Sequence, residues 1–297
     1  MPVTIDAHYV RNGLAAIYLL KKNNEAMLVD SGTSLSKPYV LQTLQSQGIE
    51  PKDVTAIFVT HVHLDHAGGA GALLQDFPNA MLYLHPRGAR HLVDPARLIE
   101  SAKSVYGESL FTKLYGTIVP APAARVKTVD DEEKITMGGC PFRILHTPGH
   151  ARHHYALFDE AESVLYTGDA FGLSYRELDS DKGAFVFPTT TPTQFEPEAM
   201  KQSFRRLAAL TPQTIAPTHF STFAFQEAQV EKLCHDVDVF IDLARKHRKE
   251  EELAKALVDY LILSAKNHGV TLDDKTLAEL FQLDGRLNAQ GLLVAIQ

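Results

Sequence analysis

Four side chains able to hold a metal fall within six positions, His61, His63, Asp65 and His66 in the run HVHLDH. Imidazole and carboxylate suit zinc, and also iron or manganese, so ligand type alone leaves the metal open. In an extended loop, residues two apart point the same way, so His61 and His63 are placed to share one cation while Asp65 and His66 turn toward a second. A lone Asp before a helix would be read as an N-cap, but beside three histidines the ligand role is preferred. Gly68 and Gly69 follow at once and let the backbone crowd such a site. Three more candidates come later: His150 in HTPGH, Asp169 in LYTGD and His219 in IAPTH.

Strands must position these groups. TAIFVT is a short apolar run that reads as a buried strand ending at Thr60, and FRILH, SVLYT and TIAPT end in the same way next to His150, Asp169 and His219. Every candidate ligand thus sits just past the C-terminal end of a strand, which places them at one edge of the sheets. Upstream, VTIDAHYV, AIYLLKK and AMLVD are β-rich, and KPYVLQTLQSQG has helical spacing. AGGAGALLQDF reads as a helix with a glycine-rich first turn, and residues 86–124 as a helical insertion. From Arg125 the pattern RVKTVD, KITM, FRILH, HYALFD and SVLYTGD gives a second sheet. EPEAMKQSFRRLAAL is an amphipathic helix. From about Gln226 the chain reads as two long helices and two shorter pieces. This divides the chain into a catalytic domain over 1–225 and a C-terminal helical region over 226–297.

Composition narrows the class. With 29 Lys plus Arg against 36 Asp plus Glu, the net charge of −7 argues against a nucleic-acid-binding surface over the whole chain. No run approaches the roughly 20 apolar residues of a membrane helix, so no membrane partner is expected. Cys140 and Cys234 lie far apart with no CxxC partner, which argues against a disulfide framework or a thiolate zinc site. The N-terminus MPVTIDAHYV lacks the features of a secretory signal, and a cytoplasmic location is expected. The partner expected is a small-molecule substrate. A homodimer is compatible with base rates, though no sequence feature shows it.

The sequence resembles the metallo-β-lactamase-fold hydrolases over residues 1 to about 225, on HVHLDH and the later His150, Asp169 and His219. The resemblance implies an α/β fold: an αβ/βα sandwich of two mixed β-sheets with outer helices, here carrying a C-terminal helical extension. It implies two divalent metal ions, with zinc expected and iron or manganese compatible. By that resemblance His61, His63 and His150 hold the first ion, Asp65, His66 and His219 the second, and Asp169 bridges them. A hydroxide bridging two ions about 3.5–4 Å apart would attack the carbonyl of a small ester, lactone or thioester, with Asp65 or Asp169 ferrying a proton.

Departures from particular branches favour the glyoxalase II and acyl-homoserine-lactone lactonase end, and GHARHHYALF resembles a poorly characterised prokaryotic branch of it. Diiron reductases usually carry Glu where His63 stands and add a flavodoxin-like domain, for which this chain has no segment. Two other readings remain: a signalling or binding protein that keeps the metal site, and a diiron oxidoreductase with a separate redox partner.

Several residues carry two readings. Asp30 in DSGT is either a turn residue or, as in the family, the residue that orients the histidine loop. His153 and His154 start a strand and should face opposite sides, and either could line the site mouth. Tyr175 is a candidate oxyanion donor by resemblance to lactonases, against a bland reading as a packed loop residue. Phe171, Phe185, Phe187 and Phe223 are pocket-wall candidates for which core packing is the commoner role. RKHRKEEE reads as a solvated helix face rather than an anion cluster. His8, His85, His91, His146, His235, His247 and His268 fit no ligand pattern.

Overall fold

The β-rich runs of the first 60 residues form β1 (Val3–Asp6), β2 (Ala16–Lys22), β3 (Glu25–Val29) and β4 (Val54–Phe58), with α1 (Lys37–Ser46) between the last two. They come from a computed structural model, which describes residues 1–190 and 194–297. β5 (Met81–Leu84) and β6 (Val126–Thr128) complete a mixed sheet in the order β1-β2-β3-β4-β5-β6. Connection length sets the pairing. β2 and β3 are joined by a tight turn, with Asn23 at φ 52°, and must run antiparallel. β3 reaches β4 through α1, and that crossover leaves them parallel.

A second run of short strands, β7 (Lys134–Met137), β8 (Cys140–His146), β9 (Tyr155–Asp159) and β10 (Val164–Gly168), pairs antiparallel at each step. The β7–β8 hairpin turns on Gly138 and Gly139, at φ 53° and 76°, as a two-residue turn with both centres left-handed requires.

These two β layers face each other within one compact unit, made of Met1–His146, His153–Gly168 and Thr218–Ser221. Tyr18 of β2 meets Tyr166 of β10 at 5.5 Å between ring centroids, and Phe58 of β4 meets Phe142 of β8 at 6.3 Å. Each such ring contributes about 1.5–3 kcal/mol by leaving water. The Tyr155 hydroxyl donates to the Tyr83 carbonyl at 3.0 Å, so even the polar end of that ring is satisfied. Lys22 of β2, buried, pairs with Asp159 of β9 at 2.7 Å and with Glu162. The same unit carries α2 (Leu64–Ala67), α3 (Ala70–Leu74) and the helices of the 86–124 stretch, α4 (Ala89–Val93), α5 (Ala96–Tyr106) and α6 (Glu108–Tyr115).

The second unit is made of Thr147–Arg152, Asp169–Pro217 and Thr222–Gln297. It holds α7 (Pro197–Ala208), the antiparallel pair β11 (Thr214–Pro217) and β12 (Phe223–Ala224), and three long helices, α8 (Glu227–Lys246), α9 (Glu250–His268) and α10 (Asp274–Ala295). α9 stops at Gly269, at φ 100°, and α10 starts where Asp273 accepts from the Thr276 N–H at 2.9 Å.

The two short C-terminal pieces expected from the sequence are in fact one helix of 22 residues. Gly285 and Gly291 lie buried inside it. A Cβ at Gly285 would stand 2.5 Å from Val258 Cγ2, so the glycine serves close approach of α10 to α9. The α/β architecture of two sheets with outer helices and C-terminal helices is as expected. Among the described residues, no helix is long and apolar enough to cross a membrane.

Candidate metal centre

Because β3 and β4 are parallel neighbours, the turn after one and the loop after the other emerge side by side. The Asp30 N–H donates to the Phe58 carbonyl at 2.7 Å, and Ser31 N–H to the His66 carbonyl at 2.7 Å. Gly69 lies so close that an added Cβ would stand 2.5 Å from the Ser31 carbonyl oxygen. Asp65 and His66 therefore belong to a helical turn, α2, rather than to an extended loop. The N-cap position of that turn is His63, so Asp65 is not the cap.

Asp30 organises this region. Fully buried and at φ 61°, it accepts from Thr60 N–H (2.8 Å), Thr60 Oγ1 (3.0 Å), Thr218 Oγ1 (2.6 Å) and His66 Nδ1 (2.9 Å). It is thus both the turn residue and the group that orients the histidine loop. With the Nδ1 proton of His66 given to Asp30, the Nε2 lone pair is left for a cation. His219 is set likewise: Nδ1 donates to the Leu14 carbonyl at 2.6 Å and Nε2 lies 3.4 Å from Asp65 Oδ2. Asp65, His66 and His219 each place one ligand atom within 4.8 Å of the others'. Burial alone would raise the Asp65 pKa, but His66, His219 and His63 outweigh it and hold the carboxyl well below the usual range.

His61 Nε2 lies 2.7 Å from His63 Nδ1, with the other His61 nitrogen 3.2 Å from Thr60 Oγ1. His153 and His154 precede β9 instead of starting it, and strand alternation does not separate them. His154 stacks on His61 with centroids 4.7 Å apart, and His153 stands edge-on to His63 at 5.8 Å. Both approach the histidine loop, which corrects the expectation that one would turn away.

In the second unit, His150 Nε2 lies 3.4 Å from Asp169 Oδ2, and His150 Nδ1 donates to the Thr189 carbonyl at 3.2 Å. Both side chains are almost wholly buried. Tyr175 is also buried, and its hydroxyl donates to Asp284 of α10 at 2.9 Å. Phe185 and Phe187 pack on Phe281 of α10, and Phe171 on Phe204 and Phe225, so these rings are core. Phe223 is likewise buried, against the Arg176 guanidinium.

Of the histidines given no chemistry, His85 and His146 pair at 4.1 Å and His91 lies 6.4 Å from His153. Sequence reasoning missed Thr60, Thr218 and the Leu14 and Thr189 carbonyls. Thr60 and Thr218 each carry a signal, adjacency to His61 and to His219; a backbone acceptor carries none.

The donors fit divalent metal ions. Imidazole and carboxylate converge, and His66, His150 and His219 each have Nδ1 committed to an oxygen, leaving Nε2 for coordination.

Known proteins place this geometry in a family. A metallo-beta-lactamase fold-containing protein of Sulfurisphaera tokodaii is 27% identical over 210 residues, 69% of this chain and 72% of the relative. The structure of an archaeal metallo-beta-lactamase superfamily protein from Sulfolobus tokodaii superposes with a TM-score of 0.69 at 22% identity, over 98% of this chain and 97% of that one. A hydroxyacylglutathione hydrolase of Aeromonas hydrophila is 28% identical over 67% of this chain, and an N-acyl homoserine lactonase of Bacillus thuringiensis 29% over 57%. The chain spans 58% of the former's length and 55% of the latter's. The family description "Metallo-beta-lactamase superfamily" matches residues 10–219, the span that carries all seven candidate ligands, and the chain belongs to that superfamily.

Proposed function

We propose that this chain is a hydrolase of small esters, lactones or thioesters that depends on two divalent metal ions. In this reading His61, His63 and His150 hold one ion, Asp65, His66 and His219 the other, and Asp169 contributes to both. Such ions supply a Lewis acid for the substrate carbonyl and lower the pKa of a bound water toward about 7.

The observation that carries the reading is the Asp65–His66–His219 convergence, in which each imidazole is fixed through its far nitrogen. Asp30 and the Leu14 carbonyl orient the ligands. Asp65 and Asp169 are the carboxylates placed to pass a proton to a leaving group. Tyr175, tied to Asp284, acts on the shape of its own segment. Two relatives named for acting on hydroxyacylglutathione and on N-acyl homoserine lactone support acyl-bond hydrolysis over phosphodiester cleavage.

The test is a pH-indicator screen across lactones, aryl esters, thioesters, phosphodiesters and a β-lactam, with and without chelator, on protein of measured metal content. Chelator-sensitive turnover of an ester, lactone or thioester is expected. Asp169→Ala should lose bound metal together with about 100-fold or more of that turnover, while His247→Ala changes neither. Silence across the screen from metal-loaded protein, or bound iron that changes oxidation state on turnover, would overturn the hydrolase reading.

A further inference from the structure

Asn288 lies in the middle of α10 with 1% of its surface exposed. An amide is a poor helix former and costly to bury without partners, so its place needs a reason. Its Oδ1 accepts from the Thr190 N–H at 2.6 Å and from Thr190 Oγ1 at 3.0 Å, and its own backbone carbonyl also accepts from that hydroxyl at 3.0 Å. Because a backbone N–H only donates, the amide oxygen is the atom facing Thr190.

The Thr190 N–H and the Thr189 carbonyl belong to one planar peptide unit and point in opposite directions. Asn288 therefore grips one edge of a rigid plate whose other edge accepts His150 Nδ1 at 3.2 Å. One turn earlier on the same face of α10, Asp284 accepts the Tyr175 hydroxyl at 2.9 Å, which anchors the same 169–190 segment a second time.

We propose that Asn288 is a positioning residue for His150, acting through the Thr189–Thr190 peptide to fix the imidazole's tautomer and aim its Nε2. The C-terminal helix thereby acts on a candidate metal ligand 138 positions upstream through an intervening peptide. This inference rests on the metal-centre reading above.

The experiment measures divalent zinc bound per chain, by elemental analysis after equilibration against graded chelator, in the full-length protein and its variants. Wild type should hold two equivalents. Asn288→Ala should weaken one of them about 10- to 100-fold and leave the other. Asn288→Asp, which keeps an acceptor oxygen, should retain most of the affinity.

Thr190→Val removes the hydroxyl but leaves the peptide N–H on Asn288, and should keep both equivalents. Leu277→Ala, a buried apolar truncation in the same helix, should lower the melting temperature with metal affinity unchanged. Asn288→Ser, too short to reach Thr190, repeats the first measurement should Asn288→Ala fail to fold.

Wild-type affinity for both equivalents in the Ala and Ser variants sinks this inference alone. So does a Leu277→Ala variant that loses metal to the same degree. A wild-type chain that binds no zinc, iron or manganese overturns the metal-centre reading, and this inference with it.

Discussion

The histidine loop of the first unit and the 147–152 and 169–190 stretches of the second both present candidate ligands, yet they are held by different means. In the first, a single buried carboxylate, Asp30, gathers Thr60, His66 and Thr218, so charge-assisted bonds over short distances define the geometry. In the second, a backbone carbonyl and a neutral amide do so, through a helix 98 residues away in sequence. One ligand set is assembled around an ion, the other propped by packing. They should fail differently.

The largest effect expected on that contrast comes from Phe281→Ala. Phe281 is fully buried against Phe185 and Phe187, and its truncation should lower unfolding stability by about 4 kcal/mol in a urea titration. Metal released at the His150 side ahead of global unfolding would sharpen the contrast, whereas simultaneous loss of both equivalents would erase it.

Asp30→Ala should cost about 3 kcal/mol, because it strands buried donors on Thr60 and His66. It should also depress metal binding by Asp65, His66 and His219. A variant within about 0.5 kcal/mol of wild type would show that the carboxylate does not organise the loop.

The smallest effect concerns acidity. His85, buried beside His146 and Arg87, has its pKa pushed down to about 4, with burial the largest cause. The unfolded chain binds that proton near pH 6.5 and the folded chain does not. Stability should therefore fall as pH drops from about 6.5 toward 4, and be indifferent to this group above that window. His85→Gln should flatten part of the slope in urea midpoints collected across the range. An unchanged slope would mean that other groups carry it.

Much of this was legible because the physics was local. HVHLDH puts four ligands in six positions, and the strands before His150, Asp169 and His219 are apolar runs with turn residues after them. Asp30 was legible in part, since DSGT advertises a turn but says nothing of Thr218. What escaped depended on distant partners. The C-terminal stretch reads as two shorter pieces, and the close approach of α10 to α9 at Gly285, against Val258, is invisible in the sequence. His153 and His154 were assigned opposite faces by a strand period that begins only at Tyr155. Asn288 is one polar residue in a helix, and nothing in DGRLNAQG connects it to a histidine.

The bonds that finish the first unit's ligand set are long ones in chain terms: Thr218 to Asp30 spans 188 residues, and His219 to Leu14 spans 205. Synthesis proceeds at about 5–20 residues per second, so roughly eight to thirty seconds separate the making of His66 from that of His219. During that interval the loop lacks Thr218 on Asp30 and the third ligand beside Asp65. Completion of this hydrogen-bonded set therefore waits on the synthesis of Thr218 and His219, whatever part of the unit has folded before them.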